Sequence, residues 1–291
     1  MSKATTSNEK WSLIIRPKAS WFNLNLKELW QYRDLIIMFV KRDFVSVYKQ
    51  TILGPIWFVI QPMLTSLLFI GVFVLGAKLK PGQEIPPLLY YLSGLVCWGY
   101  FAETLTKISE SFHTNAAIFG KVYFPRLVMP LSLVISGFLK FGVQFALFII
   151  VQVCYNLWGD VTLLPGLNLL WFPFLLLLMG GLGLGFGVFI SALTTKYRDV
   201  RFLVRFGVQL LMYTTPIIFT VEMFAGFGMD WIMRANPMTV VIEYFRTGWM
   251  GIESAIVGPM DLLYATGVMI VMLFLGIGMF SRVEKNFIDT L

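Results

Sequence analysis

Of 291 residues, 57% are hydrophobic and 13% are charged, with a mean hydropathy of +0.75. That balance excludes an ordinary soluble domain and describes an all-α, multi-spanning membrane protein. Lys and Arg number 23 against 16 Asp and Glu, a net +7. In a bilayer protein this excess bears on orientation and on anionic headgroups, and no nucleic-acid motif accompanies it.

In chain order, residues 1–25 read as a flexible tail. Charges recur from Lys3 to Lys49 and leave no apolar core of signal-peptide type, so the N-terminus is expected to stay in the mature chain. In "LKELWQYRDLIIMFVKRDFVSVYK" (26–49) the charges at 27, 34 and 41 and at 28, 42 and 49 recur at multiples of seven, two helical turns, while Trp30, Ile37, Phe44 and Val47 fall elsewhere. One charged stripe beside a broad apolar surface predicts an amphipathic helix lying in the membrane interface; a soluble helix packed on a partner is the alternative.

A spanning helix needs about 20 apolar residues. Six stretches qualify: roughly 55–77, 86–106, 127–155, 167–193, 200–220 and 259–280. At the end of the first, "GVFVLGAKL" (Gly71 to Leu79) has the glycine separation of a phosphate-binding loop, but Ala77 intrudes before Lys78 and Leu79 stands where Ser or Thr is required, so ATP binding by this chain is rejected. Between the second and third, "FGKVYFPRLVMP" (119–130) crowds Lys121 and Arg126, aromatic rings and two prolines into one loop. Lys140 lies inside the third stretch, where an ammonium is costly unless it faces protein or water; it is either a substrate contact or a lysine reaching to an interface. In the fourth, "GGLGLGFG" (Gly180 to Gly187) follows no strand, so Gly181/Gly185 and Gly183/Gly187 are read as small faces for close helix packing and not as a dinucleotide loop.

The fifth stretch is the weakest span, because Arg201 and Arg205 sit in its first turns. In "KYRDVRFLVRFGVQ" Arg198, Arg201 and Arg205 share one helical face that Gln209 extends by a turn. The guanidinium groups either snorkel to headgroups or form a cationic entrance for a phosphorylated substrate. Residues 221–258 are too long and too apolar for a bare connection. They predict either a re-entrant helical hairpin dipping into the outer leaflet or a pair of surface helices, broken at Asn236-Pro237.

With six spans, eighteen of the 23 cations fall on the side of the termini, which the positive-inside rule makes cytoplasmic. Cys97 and Cys154 read as buried hydrophobes. His113 is the only histidine, so a histidine-based metal site or a Ser/His/Asp arrangement lacks partners.

The motif "VYKQTILGPIWFVIQP" (47–62) after an amphipathic helix, together with "FGKVYFPRLVMP", resembles the membrane subunit of type-2 ABC exporters that move lipid-linked polysaccharides, most closely the O-antigen export permeases. The resemblance runs from about residue 26 to the end. It implies one transmembrane domain over 26–291, a homodimer, and a separate nucleotide-binding ATPase subunit that carries the ATP, this chain binding no cofactor and being no enzyme. It makes 107–126 a cytoplasmic coupling loop, with His113, Lys121, Tyr123, Phe124 and Arg126 at the ATPase contact. It puts a channel between protomers, with Trp57, Phe206 and Tyr213 beside the conduit; Lys140 joins them as a channel candidate from its place in the third stretch and not from the resemblance.

Charge and spacing add Arg42, Lys49, Arg198, Arg201 and Arg205 as the entrance that meets a lipid pyrophosphate. The location implied is the bacterial inner membrane. Teichoic acid or capsular polysaccharide is the alternative substrate. A polyprenyl-sugar enzyme would need intramembrane acids or bases, for which only Glu103, Lys140 and Asp261 offer themselves. An ion-coupled transporter would need midplane carboxylates.

Overall fold

A computed structural model describes residues 26–49, 54–79, 85–115, 118, 121–122, 124–159, 161–197, 199–252, 254 and 258–286. The tail 1–25, Tyr123 and Arg198 lie outside the described residues. Among those described, every regular element is helical, as hydrocarbon demands of a backbone that must satisfy its own polar groups.

Two helices open the chain: α1 (Leu26–Gln31) and α2 (Arg33–Tyr48). Leu29 and Phe39 are buried against Phe124, Val128 and Met129, while Lys41, Arg42, Trp30, Ile37 and Met38 stay exposed. The helix expected over 26–49 is therefore present with a bend at Tyr32. It packs one apolar face on its own chain and leaves a second uncovered.

The first expected span is one continuous helical run. It starts as a 3-10 turn (Gly54–Ile56), continues as α3 (Trp57–Phe69) and widens to π geometry over Ile70–Gly76. Pro62 lies within α3 and has no N–H to give the Phe58 carbonyl. The Gln144 side chain donates to that carbonyl instead, at 3.3 Å. A helix defect at membrane depth is thus repaired from a neighbouring helix.

The enclosed centre of the bundle is α4 (Pro87–Ser109), flanked by α5 (Val128–Trp158) and α6 (Phe172–Lys196). The glycines of α6 are used on both sides. A Cβ on Gly183 or Gly187 would press on Thr104 or Ile108 of α4, and one on Gly181 or Gly185 on Met269 or Met272 of α11 (Pro259–Asn286). Both small-residue faces read from the sequence are helix contacts.

At Gly185 the added atom would lie 2.8 Å from the Leu273 nitrogen, a backbone atom that cannot rotate away. Gly185→Ala is expected to cost about 1–3 kcal/mol through overpacking, read as a lower unfolding midpoint in detergent. Gly142→Ala, with nothing within 4 Å of the new methyl, should leave the midpoint unchanged or raise it.

Beyond α6, α7 (Val200–Tyr213) has 14 residues and is about 21 Å long, short of a hydrocarbon core of about 30 Å. The expected 200–220 stretch stops early because Pro216 disfavours helical geometry at Thr215, and the Thr215 hydroxyl turns back to the Leu211 carbonyl at 2.7 Å. Among the described residues, four helical runs are long and apolar enough to cross a membrane: Gly54–Gly76, Val128–Trp158, Leu167–Thr195 and Pro259–Phe280. α4 has the length for a crossing but carries Glu103 and Lys107.

The 221–258 segment forms α8 (Val221–Gly226), α9 (Asp230–Ala235) and α10 (Pro237–Met250). Asn236 and Pro237, read as a break, are the start signal of α10. Asn236 Oδ1 accepts from the Met238 N–H at 3.0 Å, and proline takes the first helical position, where its missing N–H costs nothing. α10 is buried nearly all round, its polar side chains included. Phe245 and Trp249 lock it to Phe145, Phe148 and Phe172 of α5 and α6, with ring centroids 5.0–6.1 Å apart. It ends at Gly251, whose φ of 66° suits glycine.

Candidate functional site

The residues expected to carry function collect at two levels of the bundle. At the basic end, the connection from α4 to α5 begins with a single helical turn, Ser111–Thr114. His113, Lys121 and Val122 are exposed there, and Arg126 is half-buried. Phe124 is only 4% exposed and meets the Phe39 ring at 5.9 Å between centroids. Its ring fixes this loop to α2 and leaves His113, Lys121 and Val122 as the exposed residues around it.

Arg205, on α7, grips Glu110 at the mouth of the same connection: Nε donates to Oε1 at 2.8 Å and Nη2 to Oε2 at 3.1 Å. This bidentate pair ties α7 to the end of α4. Arg201 is half-buried on the same helix. Arg42 pairs with its neighbour Asp43 at 2.8 Å and lies over the Phe39 ring at 4.8 Å, and Lys49 is exposed. The described cations of the expected entrance thus share one end of the molecule. Two of them already hold an internal carboxylate.

Deeper in, a cavity of about 470 Å³ opens between α3, α4, α5 and α7. Gln61, Thr65, Trp98, Glu103, Lys107, Lys140 and Gln144 are among its walls. Lys140 bonds Glu103 Oε2, Lys107 holds Glu103 Oε1 at 2.8 Å, and the Lys140 ammonium faces the Phe58 ring at 5.2 Å. Lys140 therefore faces protein and not lipid, which resolves its cost at that depth. Glu103 and Lys107, four residues apart on one helix, were a legible pair, and their juxtaposition with Lys140 needs the fold.

Trp57, Phe206 and Tyr213 are 50%, 60% and 41% exposed on the outer faces of α3 and α7. Phe202, Leu203, Leu64 and Leu67 continue these surfaces, which stay exposed among the described residues.

A third polar group escaped the sequence reading, which gave Arg246 no role within the 221–258 segment. Arg246 is 1% exposed inside α10. Its Nη1 donates to Glu243 Oε1 at 2.9 Å, Nε to Ser93 Oγ at 3.1 Å and Nη2 to the Tyr90 carbonyl at 2.9 Å, while its guanidinium carbon sits 3.7 Å from the centre of the Tyr90 ring. The spacing Glu-x-x-Arg within an apolar helix was the available signal. Among the described residues no cluster of His, Cys, Asp and Glu has the makings of a metal site.

Comparison with known proteins follows the same lines. Residues 34–250 match the family described as ABC-2 type transporter. The chain is 30% identical over 266 residues to an O-antigen export system permease protein RfbA of Klebsiella pneumoniae, covering 89% of this chain and 95% of that protein. A second Klebsiella pneumoniae protein of that name is 28% identical over 264 residues, with the same coverage. The Myxococcus xanthus protein of that name is 22% identical over 268 residues, 91% of this chain and 98% of that one.

Proposed function

The chain belongs to the ABC-2 type transporter family and is a membrane permease of an ABC exporter, and we propose that it moves a lipid-linked O-antigen polysaccharide across the bacterial inner membrane. The observation that carries this reading is the likeness to O-antigen export permeases over nearly their whole length. A match confined to the shared helical scaffold would leave the cargo open.

In this reading the chain is one transmembrane domain from residue 26 on. It crosses six times, through the helical run containing α3 and through α4, α5, α6, α7 with the turns after it, and α11. The segment α8–α10 forms an outer hairpin. The basic end faces the cytoplasm with both termini, as the concentration of cations there supports. ATP binds to and is hydrolysed by a separate nucleotide-binding subunit that meets the 107–126 connection through His113, Lys121, Tyr123 and Arg126, with Phe124 holding that connection to α2.

Two copies of the chain face each other across the exposed surfaces of α3 and α7, and the glycan passes between them. Trp57, Phe206 and Tyr213 offer flat aromatic rings to sugar faces there, contact without tight hydrogen bonds that would stall movement. Arg42, Lys49, Arg198 and Arg201 receive the pyrophosphate at the entrance. Arg205 adds its charge to that set while Glu110 holds it in place.

In a strain without this chain, lipid-linked polysaccharide is expected to accumulate on the cytoplasmic leaflet and to disappear from the surface. Recovery should need both this chain and an ATPase subunit with an intact ATP site. Polysaccharide reaching the surface at its normal level in that strain overturns the reading.

A further inference from the structure

The cavity between α3, α4, α5 and α7 holds an unbalanced charge. Glu103 is the carboxylate that both Lys107 and Lys140 bond, so two ammonium groups share one anion and the group carries a net positive charge. Each ammonium has three N–H donors. Among the described residues, neither lysine has a hydrogen-bond acceptor other than Glu103. In surroundings of low dielectric an uncompensated cation is costly, and an incoming anion that removes the imbalance is favoured.

The remaining walls point the same way. Gln61 and Thr65 bring an amide and a hydroxyl from α3, and Trp98 brings a ring. Lys107 is 43% exposed toward the basic end, so the site has a route to the headgroup region. Met212 of α7 completes the lining.

We propose that this cavity binds a phosphate group carried by a lipid, Lys107 and Lys140 taking the phosphate oxygens while Glu103 acts as the internal counter-ion that the ligand displaces. The phosphate is either the diphosphate of a polyprenyl carrier or the headgroup of a bilayer phospholipid. Only the first source rests on the export reading above.

The test uses the full chain in phosphatidylcholine nanodiscs, titrated with farnesyl diphosphate and, as control, farnesol. Farnesyl diphosphate is expected to bind and farnesol not. The double variant Lys107→Gln/Lys140→Gln weakens binding at least about tenfold, whereas Glu103→Gln, which frees both lysines, tightens it about tenfold. That opposite sign separates a counter-ion from a structural ion pair, whose loss would only loosen the site. Lys140→Arg, which keeps the charge, retains binding.

A second titration in nanodiscs containing phosphatidylglycerol distinguishes the sources. Loss of apparent affinity there assigns the site to phospholipid headgroups, and unchanged affinity assigns it to the polyprenyl carrier. Binding in neither arm that depends on the two lysines, or weaker binding by Glu103→Gln, overturns the site. Normal polysaccharide export without lysine-dependent binding leaves the export reading standing, and lysine-dependent binding in a chain that exports nothing does the reverse.

Discussion

Arg246→Met lowers the stability of the folded chain by about 3–5 kcal/mol, the cost of leaving one member of a buried ion pair behind. Glu243 is the member left: it sits in the same sealed helix and accepts from Arg246 at 2.9 Å. The substitution also strips a donor from Ser93 and from the Tyr90 carbonyl. Three parts of the fold meet at this point, since the Tyr90 hydroxyl reaches on to the Pro216 carbonyl at 3.3 Å. α10 would lose its tie to α4 and, through α4, to the turns that end α7.

The decisive comparison is with the double variant Glu243→Leu/Arg246→Met. Because desolvating the pair offsets much of its attraction, removing both charges and filling their space should recover most of the loss. Thermal unfolding in one detergent measures all three proteins. If the double variant is as unstable as Arg246→Met alone, the hydrogen bonds to α4 hold α10 in place and the ion pair does not.

Arg205→Glu is expected to act on transport and not on stability. The Arg205–Glu110 pair has a side-chain exposure of 61% at Arg205, and pairs that wet contribute about 0–1 kcal/mol to folding. Its placement gives it a different weight. Glu110 is the hinge between α4 and the loop proposed to meet the ATPase, and Arg205 lies on α7, one wall of the proposed conduit. The bidentate grip of Arg205 on Glu110 is a direct route by which a displaced loop pulls α7.

Reversing Arg205 alone sets two carboxylates against each other. Polysaccharide export should fall about tenfold or more while ATP hydrolysis by the assembled transporter continues. The exchanged pair Glu110→Arg/Arg205→Glu restores export, an outcome that rescue of folding cannot imitate because folding is not lost. Export at the normal rate in Arg205→Glu would assign the pair to the surface.

What the sequence made legible was whatever rests on one helix at a time. The apolar runs, the glycine faces of α6 and the amphipathic stripe over 26–49 each repeat with helical period, and they emerged as helices or as helix contacts. The length of α7 did not emerge, because Thr-Thr-Pro stops a helix without lowering hydropathy, and an apolar count runs straight through Pro216.

The polar groups were harder for a different reason. Lys140 was visible, but its partner is 37 positions away; Gln144 gained its role from a proline 82 positions earlier; Arg246 stood out only once α10 closed around it. Each is satisfied by a group on another helix, and no period along one chain segment reports that. Phe124 shows the same limit from the other side. An aromatic ring in a basic loop reads equally as a knob for a partner or as a rivet for its own fold, and contact with Phe39 makes it the second.

Reconstitution in liposomes tests the central claim, that this chain is a passive half of a channel driven from its basic end. The chain is assayed alone and with a nucleotide-binding subunit, for ATP hydrolysis and for movement of a lipid-linked polysaccharide. The expected result is no hydrolysis and no movement by the chain alone, and both when the subunit and ATP are present. Hydrolysis by the isolated chain, or movement of the polysaccharide without a nucleotide-binding subunit, would contradict it.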